Sequence, residues 1–290
     1  MAKGKQTISK LTERLPQLYV APAEGAQAAH RQAAGRGIID PDANLEHFLT
    51  SDEDELREVS TPAGPIEVLF LAERQDFETF LQIVGHKAQP VPISRTVGAM
   101  TYIGLADWGA VAKARAEYEA AGGTQWAAEF GRLAKQPGTF RMQFIVISEG
   151  PYSNLPADET PYDSAKWIII SREIRLHHEC AHVVCRRTMP DVIAPVWDEV
   201  TADVTGLLCA TGEYDAKLAA KFLGITPEGY AGGRLVEYLT EEQQRCIDDI
   251  AREVYAAMSQ VEQMTHEQGV GANDAFNFLL ELKRNPLIDY

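Results

Sequence analysis

Ser171-Arg-Glu-Ile-Arg-Leu-His-His-Glu-Cys-Ala-His-Val-Val-Cys185 is the stretch whose reading decides the rest of the chain. Inside it, His178-Glu179-Cys180-Ala181-His182 has the pattern H-E-x-x-H. On an α-helix a four-residue step turns by about 400°, so His178 and His182 fall roughly 40° apart on one face and can reach one ion. Glu179 stands beside them, placed to take a proton from a water held by that ion. Ser171 offers a cap, Glu173 an acid for the first turn, and Arg186-Arg187 a basic end ahead of Met189-Pro190.

A catalytic zinc usually takes three protein ligands and leaves one position open for water. Seventeen residues beyond His182, Pro195-Val-Trp-Asp-Glu-Val-Thr-Ala-Asp-Val-Thr205 supplies Glu199 and, one helical turn later, Asp203. Glu199 is the candidate third ligand. Asp203 can accept the free ring N–H of a liganding histidine and so fix its tautomer. Asp198 is the competing ligand, but its i+4 partner is Ala202, which leaves no supporting acid. The spacing calls for a helix, a reversing loop containing Pro190 and Pro195, and a second helix packed on the first.

These residues resemble the gluzincin metallopeptidases, in which H-E-x-x-H is followed by E-x-x-x-D on a second helix. The resemblance covers about 30 residues. It implies zinc on His178, His182 and Glu199, general acid/base catalysis by Glu179, Asp203 behind His178, and a peptide or protein substrate. It also implies a zincin-like fold, in which the edge strand of a sheet ahead of the active-site helix binds extended peptide. Lys166 to Ile170, or Arg141 to Ser148, is expected to play that part.

Other residues near the motif read more plainly. His177 lies about 100° round the helix from His178, off the metal face, and is expected behind the ligands or in a substrate pocket. Cys180 and Cys185 read as small buried side chains. Gly229-Tyr-Ala-Gly-Gly-Arg-Leu-Val-Glu-Tyr238 interrupts the helical pattern with glycines, and Tyr230 or Arg234 from it is the candidate stabiliser of an oxyanion. Leu235 to Gln263 is amphipathic at helical spacing and reads as core or as an oligomer contact.

Outward from the motif, Ile66 to Ala72, Val97 to Leu105, Arg141 to Ser148 and Lys166 to Ile170 read as strands, and Arg74 to Val84 and Gly109 to Lys135 as helices, the last broken at Gly122-Gly123. Beyond Ser171 the period stays near 3.6. The expected class is α+β, with a loosely structured segment over 1–60, a sheet-containing lobe over 61–171 and a helical lobe over 172–290, the active-site helix standing at the junction. Residues 1–60 earn the looser reading through Gly35-Arg-Gly37, Pro41-Asp42 and the acidic run Ser51-Asp-Glu-Asp-Glu55.

Lysine and arginine number 27 against 42 acidic residues, a formal charge of −15 that repels phosphate backbones and anionic lipid. Nucleic acid and membrane are therefore not expected partners. The basic N-terminus has no apolar segment after it, and four cysteines without a C-x-x-C pair suit a reducing compartment, so a cytoplasmic location is expected. The reading is a zinc-dependent hydrolase of peptide or amide bonds. Its rival is a metal-stabilised, non-catalytic interaction module.

Overall fold

Met142, Phe144, Ile145, Val146 and Ile147 form the apolar run of a strand buried on both faces, as such a run requires. In the computed structural model, which describes residues 3–290, that strand is interior to a four-stranded mixed sheet. The elements follow as α1 (Lys3–Thr12), α2 (Gln27–Arg36), β1 (Glu55–Val59), β2 (Ile66–Leu71), α3 (Arg74–Val84), β3 (Ala99–Ala106), α4 (Trp108–Ala120), α5 (Trp126–Leu133) and β4 (Arg141–Ser148). Then come α6 (Ser164–Thr188), α7 (Pro195–Thr211), α8 (Ala216–Leu223), the short pair β5 (Ile225–Thr226) and β6 (Gly229–Tyr230), α9 (Ile247–Gln268) and α10 (Ala275–Arg284). The class is α+β. The sheet order is β1-β2-β4-β3, with β2 parallel to β4 and Val68 opposite Ile145.

The chain divides into two compact units. The first comprises the chain up to Glu58, Glu67–Ser94 and Thr101–Ser148; the second comprises Val59–Ile66, Arg95–Met100 and Glu149–Tyr290. This replaces the expected boundaries at 60 and 171.

Over the described part of the expected loose segment, residues 3–60, the chain is not loosely structured. Ile8, Leu11, Leu15, Leu18 and Phe48 are buried in the first unit, and Asp54 of the acidic run is buried with them. Asp54 accepts the N–H groups of Ala72 and Ser51 at 3.0 and 2.9 Å, and buried Asp76 of α3 accepts those of Leu49 and Thr50 at 2.8 Å each. A carboxylate that satisfies two backbone donors replaces its lost hydration, which is how an acidic stretch can be interior.

Lys166 to Ile170 is helical rather than extended. Asp163 caps α6 by accepting the Lys166 N–H at 2.8 Å, and Trp167, Ile170 and Ile174 are buried at helical spacing while Ile169 is exposed. Burial at a 3.6-residue period outweighs the strand preference of consecutive isoleucines, which costs only tenths of a kcal/mol each. Ser171 is therefore inside α6 and does not cap it. Neither proposed peptide-binding strand survives: Lys166 to Ile170 is no strand, and β4 has both edges taken by β2 and β3.

In the second unit the helices share one apolar core that includes Trp167, Ile174, Trp197, Val200, Val204, Phe222, Val254 and Phe278. Pro195 starts α7 at its first turn, where a missing N–H costs nothing, and the Trp197 indole donates to the Leu282 carbonyl at 3.0 Å. α6 and α7 pack tightly at Gly206, where an added Cβ would lie 2.8 Å from the Ile174 carbonyl oxygen.

Candidate metal centre

Histidines 178 and 182 stand one turn apart on α6, and Glu199 reaches them from the first turns of α7. His178 Nε2 lies 3.1 Å from His182 Nε2 and 3.5 Å from Glu199 Oε2, and His182 Nε2 lies 3.3 Å from Glu199 Oε1. Ligands at about 2.0–2.1 Å from a tetrahedral ion are separated from one another by roughly 3.3–3.4 Å. The three observed separations bracket that edge, and the three side chains form a group able to hold a metal ion.

The chemistry of the donors agrees with the spacing. Asp203, fully buried on α7, lies 2.8 Å from His178 Nδ1, and a carboxylate can only accept, so the ring proton is on Nδ1. His178 Nε2 then points toward His182 and Glu199, where a bound cation would take the place of the ring's second proton. Electrostatics show how strongly the acids act on this pocket. Burial works against a charged His178, but hydrogen bonds and Coulombic attraction from Asp203 and Glu199 push it up to about 10. Burial likewise works against a charged Glu199, and the two histidines hold it well below the usual carboxylate range.

Asp203 is gripped from its other side as well. Arg234 donates to Asp203 Oδ2 at 3.0 Å and to the Phe222 carbonyl at 3.1 Å, and its other terminal nitrogen lies 3.8 Å from Glu199 Oε2. Gly224 and Gly233 bring Arg234 there: an added Cβ on Gly233 would stand 2.7 Å from the Gly224 Cα. Arg234 is thus at the centre, as the loop's composition suggested. Tyr230 is not. Its hydroxyl donates to the Gly233 carbonyl and accepts the Gly233 N–H, at 2.8 and 2.9 Å, so both capacities are spent within its own loop.

The phenol at the centre is Tyr238, four residues after Arg234 on a short 3-10 turn. Its oxygen lies 3.4 Å from Arg234, and burial pushes its pKa far up. Tyr152, in the turn before α6, is a second residue that the motif spacing does not reach; its hydroxyl lies 2.5 Å from Asp203 Oδ1 and 2.9 Å from His178 Nδ1. Nothing in local pattern marks either tyrosine.

The remaining candidates fall away from the ligand set. His177 lies 3.7 Å from Glu173 and edge-on to Phe276 of α10, so it faces a neighbouring helix rather than the histidine pair, as a 100° offset dictates. Asp198 pairs with buried Lys283 of α10, and Glu199 is the carboxylate in the convergent group. Glu179 is half-buried on α6 next to His178. Cys180 is buried and Cys185 partly so, and neither is in the convergent group.

Two crossed helices, an imidazole pair and a buttressed carboxylate define an α+β protein with a candidate metal centre. The chain belongs to DUF7005, a family of unknown function, whose pattern it matches over residues 1–289. No curated protein and no solved structure matches it. Among the described residues no helix is long and apolar enough to cross a membrane.

Proposed function

We propose that this protein is a zinc-dependent hydrolase acting on a peptide or amide bond, with His178, His182 and Glu199 as the metal ligands. The observation that carries the reading is the set of three ligand separations, 3.1, 3.3 and 3.5 Å, backed by Asp203 on His178. Among the described residues the convergent group has three members rather than four, which favours a centre with an open position over a closed structural one.

When bound, zinc supplies Lewis acidity and lowers the pKa of a water to about 7. The chain's own residues do the rest. Glu179 accepts the proton of the attacking water and passes it to the leaving nitrogen. Tyr238 and Arg234 bring an O–H and a charged N–H to the side of Glu199, where they meet negative charge developing on the carbonyl oxygen. Asp203 keeps the His178 proton on Nδ1 and its lone pair on Nε2.

The test is a peptide-library digest by the full chain, with and without chelator, beside metal analysis of protein purified without added metal. Stoichiometric zinc and chelator-sensitive cleavage support the reading. Glu179→Gln is expected to retain zinc and lose about 10²–10⁴-fold in turnover. Full activity in that zinc-loaded variant refutes the role given to Glu179.

A further inference from the structure

Tyr152 makes contacts that packing alone does not require. Its ring fits edge-on against Phe222 at 4.7 Å between centroids, a place that a phenylalanine would fill equally. The hydroxyl adds something else: it lies at the junction of Asp203 Oδ1 and His178 Nδ1. The hydroxyl donates to the Asp203 carboxylate, which can only accept. Oδ1 thus receives two donors, the ring N–H and the phenol O–H, while Oδ2 receives Arg234. With both oxygens held, the carboxylate plane is fixed.

The backbone around Tyr152 is fastened to the helix it serves. The Tyr152 N–H donates to Ser171 Oγ at 2.9 Å, and Arg175 donates to the carbonyls of Gly150 and Pro151 at 2.6 and 2.7 Å. Ser171 and Arg175 lie seven and three residues before His178 on α6, so the helix that carries the ligand also sets the height of the phenol. After Tyr152 the chain turns through two left-handed residues, Ser153 and Asn154, with φ of 51° and 56°, a conformation that non-glycine residues rarely adopt.

We propose that Tyr152 is a positioning residue of the metal centre: its hydroxyl locks Asp203 against His178 Nδ1 and thereby holds His178 Nε2 on the cation. The proposal rests on the metal reading above and extends it to a residue outside both helices of the motif. Partners of this kind typically change metal affinity by 10–100-fold when removed.

The experiment measures the zinc affinity of the full chain by competition with a chromophoric chelator, with circular dichroism as the check on folding. Tyr152→Phe is expected to stay folded and to bind zinc about 10–100-fold more weakly. Asp203→Asn should lose a comparable amount. The double variant should bind no more weakly than Asp203→Asn alone, because the hydroxyl acts through that carboxylate, whereas a merely structural loss would add. Tyr162→Phe, a phenol stacked on Trp167, should keep wild-type affinity. If Tyr152→Phe does not fold, Ser171→Ala frees the Tyr152 backbone and leaves the hydroxyl in place; a weaker zinc affinity in it supports the proposal and an unchanged one overturns it. Unchanged affinity in folded Tyr152→Phe, or additive losses in the double variant, overturns the role of Tyr152 alone. A wild-type chain that binds no zinc overturns the metal centre and this inference together.

Discussion

Gly206→Ala pits two effects of opposite sign against each other. In an isolated helix the change adds about 1 kcal/mol of stability, because alanine is the best helix former and glycine among the poorest. Here the new methyl would stand 2.8 Å from the Ile174 carbonyl oxygen and 3.0 Å from Ile174 Cγ2. Ordinary contacts of carbon lie near 3.5 Å, so α7 must retreat from α6 by about half an ångström, and the nearest obstacle is helix backbone that cannot rotate away. Overpacking of this kind costs about 1–3 kcal/mol. The expected net loss is therefore about 0–2 kcal/mol, a fall in Tm of up to about 8 °C for a unit of this size. Ile174 lies one turn before His178, and Gly206 lies three residues after Asp203, so the displacement falls on the ligands themselves. Metal sites tolerate ligand shifts of about 0.2 Å, so zinc affinity should fall at least about tenfold. Thermal unfolding followed by circular dichroism, with zinc affinity from chelator competition, reads both. A variant more stable than wild type by about 1 kcal/mol, with unaltered zinc binding, would refute the argued contact.

Three further outcomes are expected. Asp76→Asn keeps one acceptor for two backbone donors, those of Leu49 and Thr50, and should lower unfolding free energy by about 1–3 kcal/mol in urea; an unchanged midpoint would contradict the bridging role. Tyr238→Phe should lower turnover while leaving zinc stoichiometry intact, since the hydroxyl lies 3.4 Å from Arg234 without being a ligand; loss of zinc would instead make it a support of the metal. At pH 8 a thiol reagent should modify exposed Cys246 ahead of Cys209, whose thiol burial pushes up to about 11, so Cys246→Ser should abolish the fast phase; a fast phase that persists in that variant would contradict the assignment.

The sequence by itself determined what depends on near neighbours along the chain. A four-residue step puts His178 beside His182, and another puts Asp203 on the face of Glu199, whatever the remainder of the protein does. The apolar run of β4 and the spacing of α3 are legible for the same reason. Tertiary structure decided what depends on contacts remote in sequence. Lys166 to Ile170 joined α6 because Trp167, Ile170 and Ile174 found a core to enter, and Asp54 and Asp76 became interior because backbone donors elsewhere in the chain awaited them. Asp198 is engaged by a lysine 85 residues away. Tyr238 replaced Tyr230 because a hydroxyl's partners are chosen by the path of the loop, and Tyr152 reaches Asp203 across 51 residues. Helical periodicity is a local constraint that any segment carries with it, whereas the hydrogen bonds around His178 and Asp203 exist only where separate segments converge.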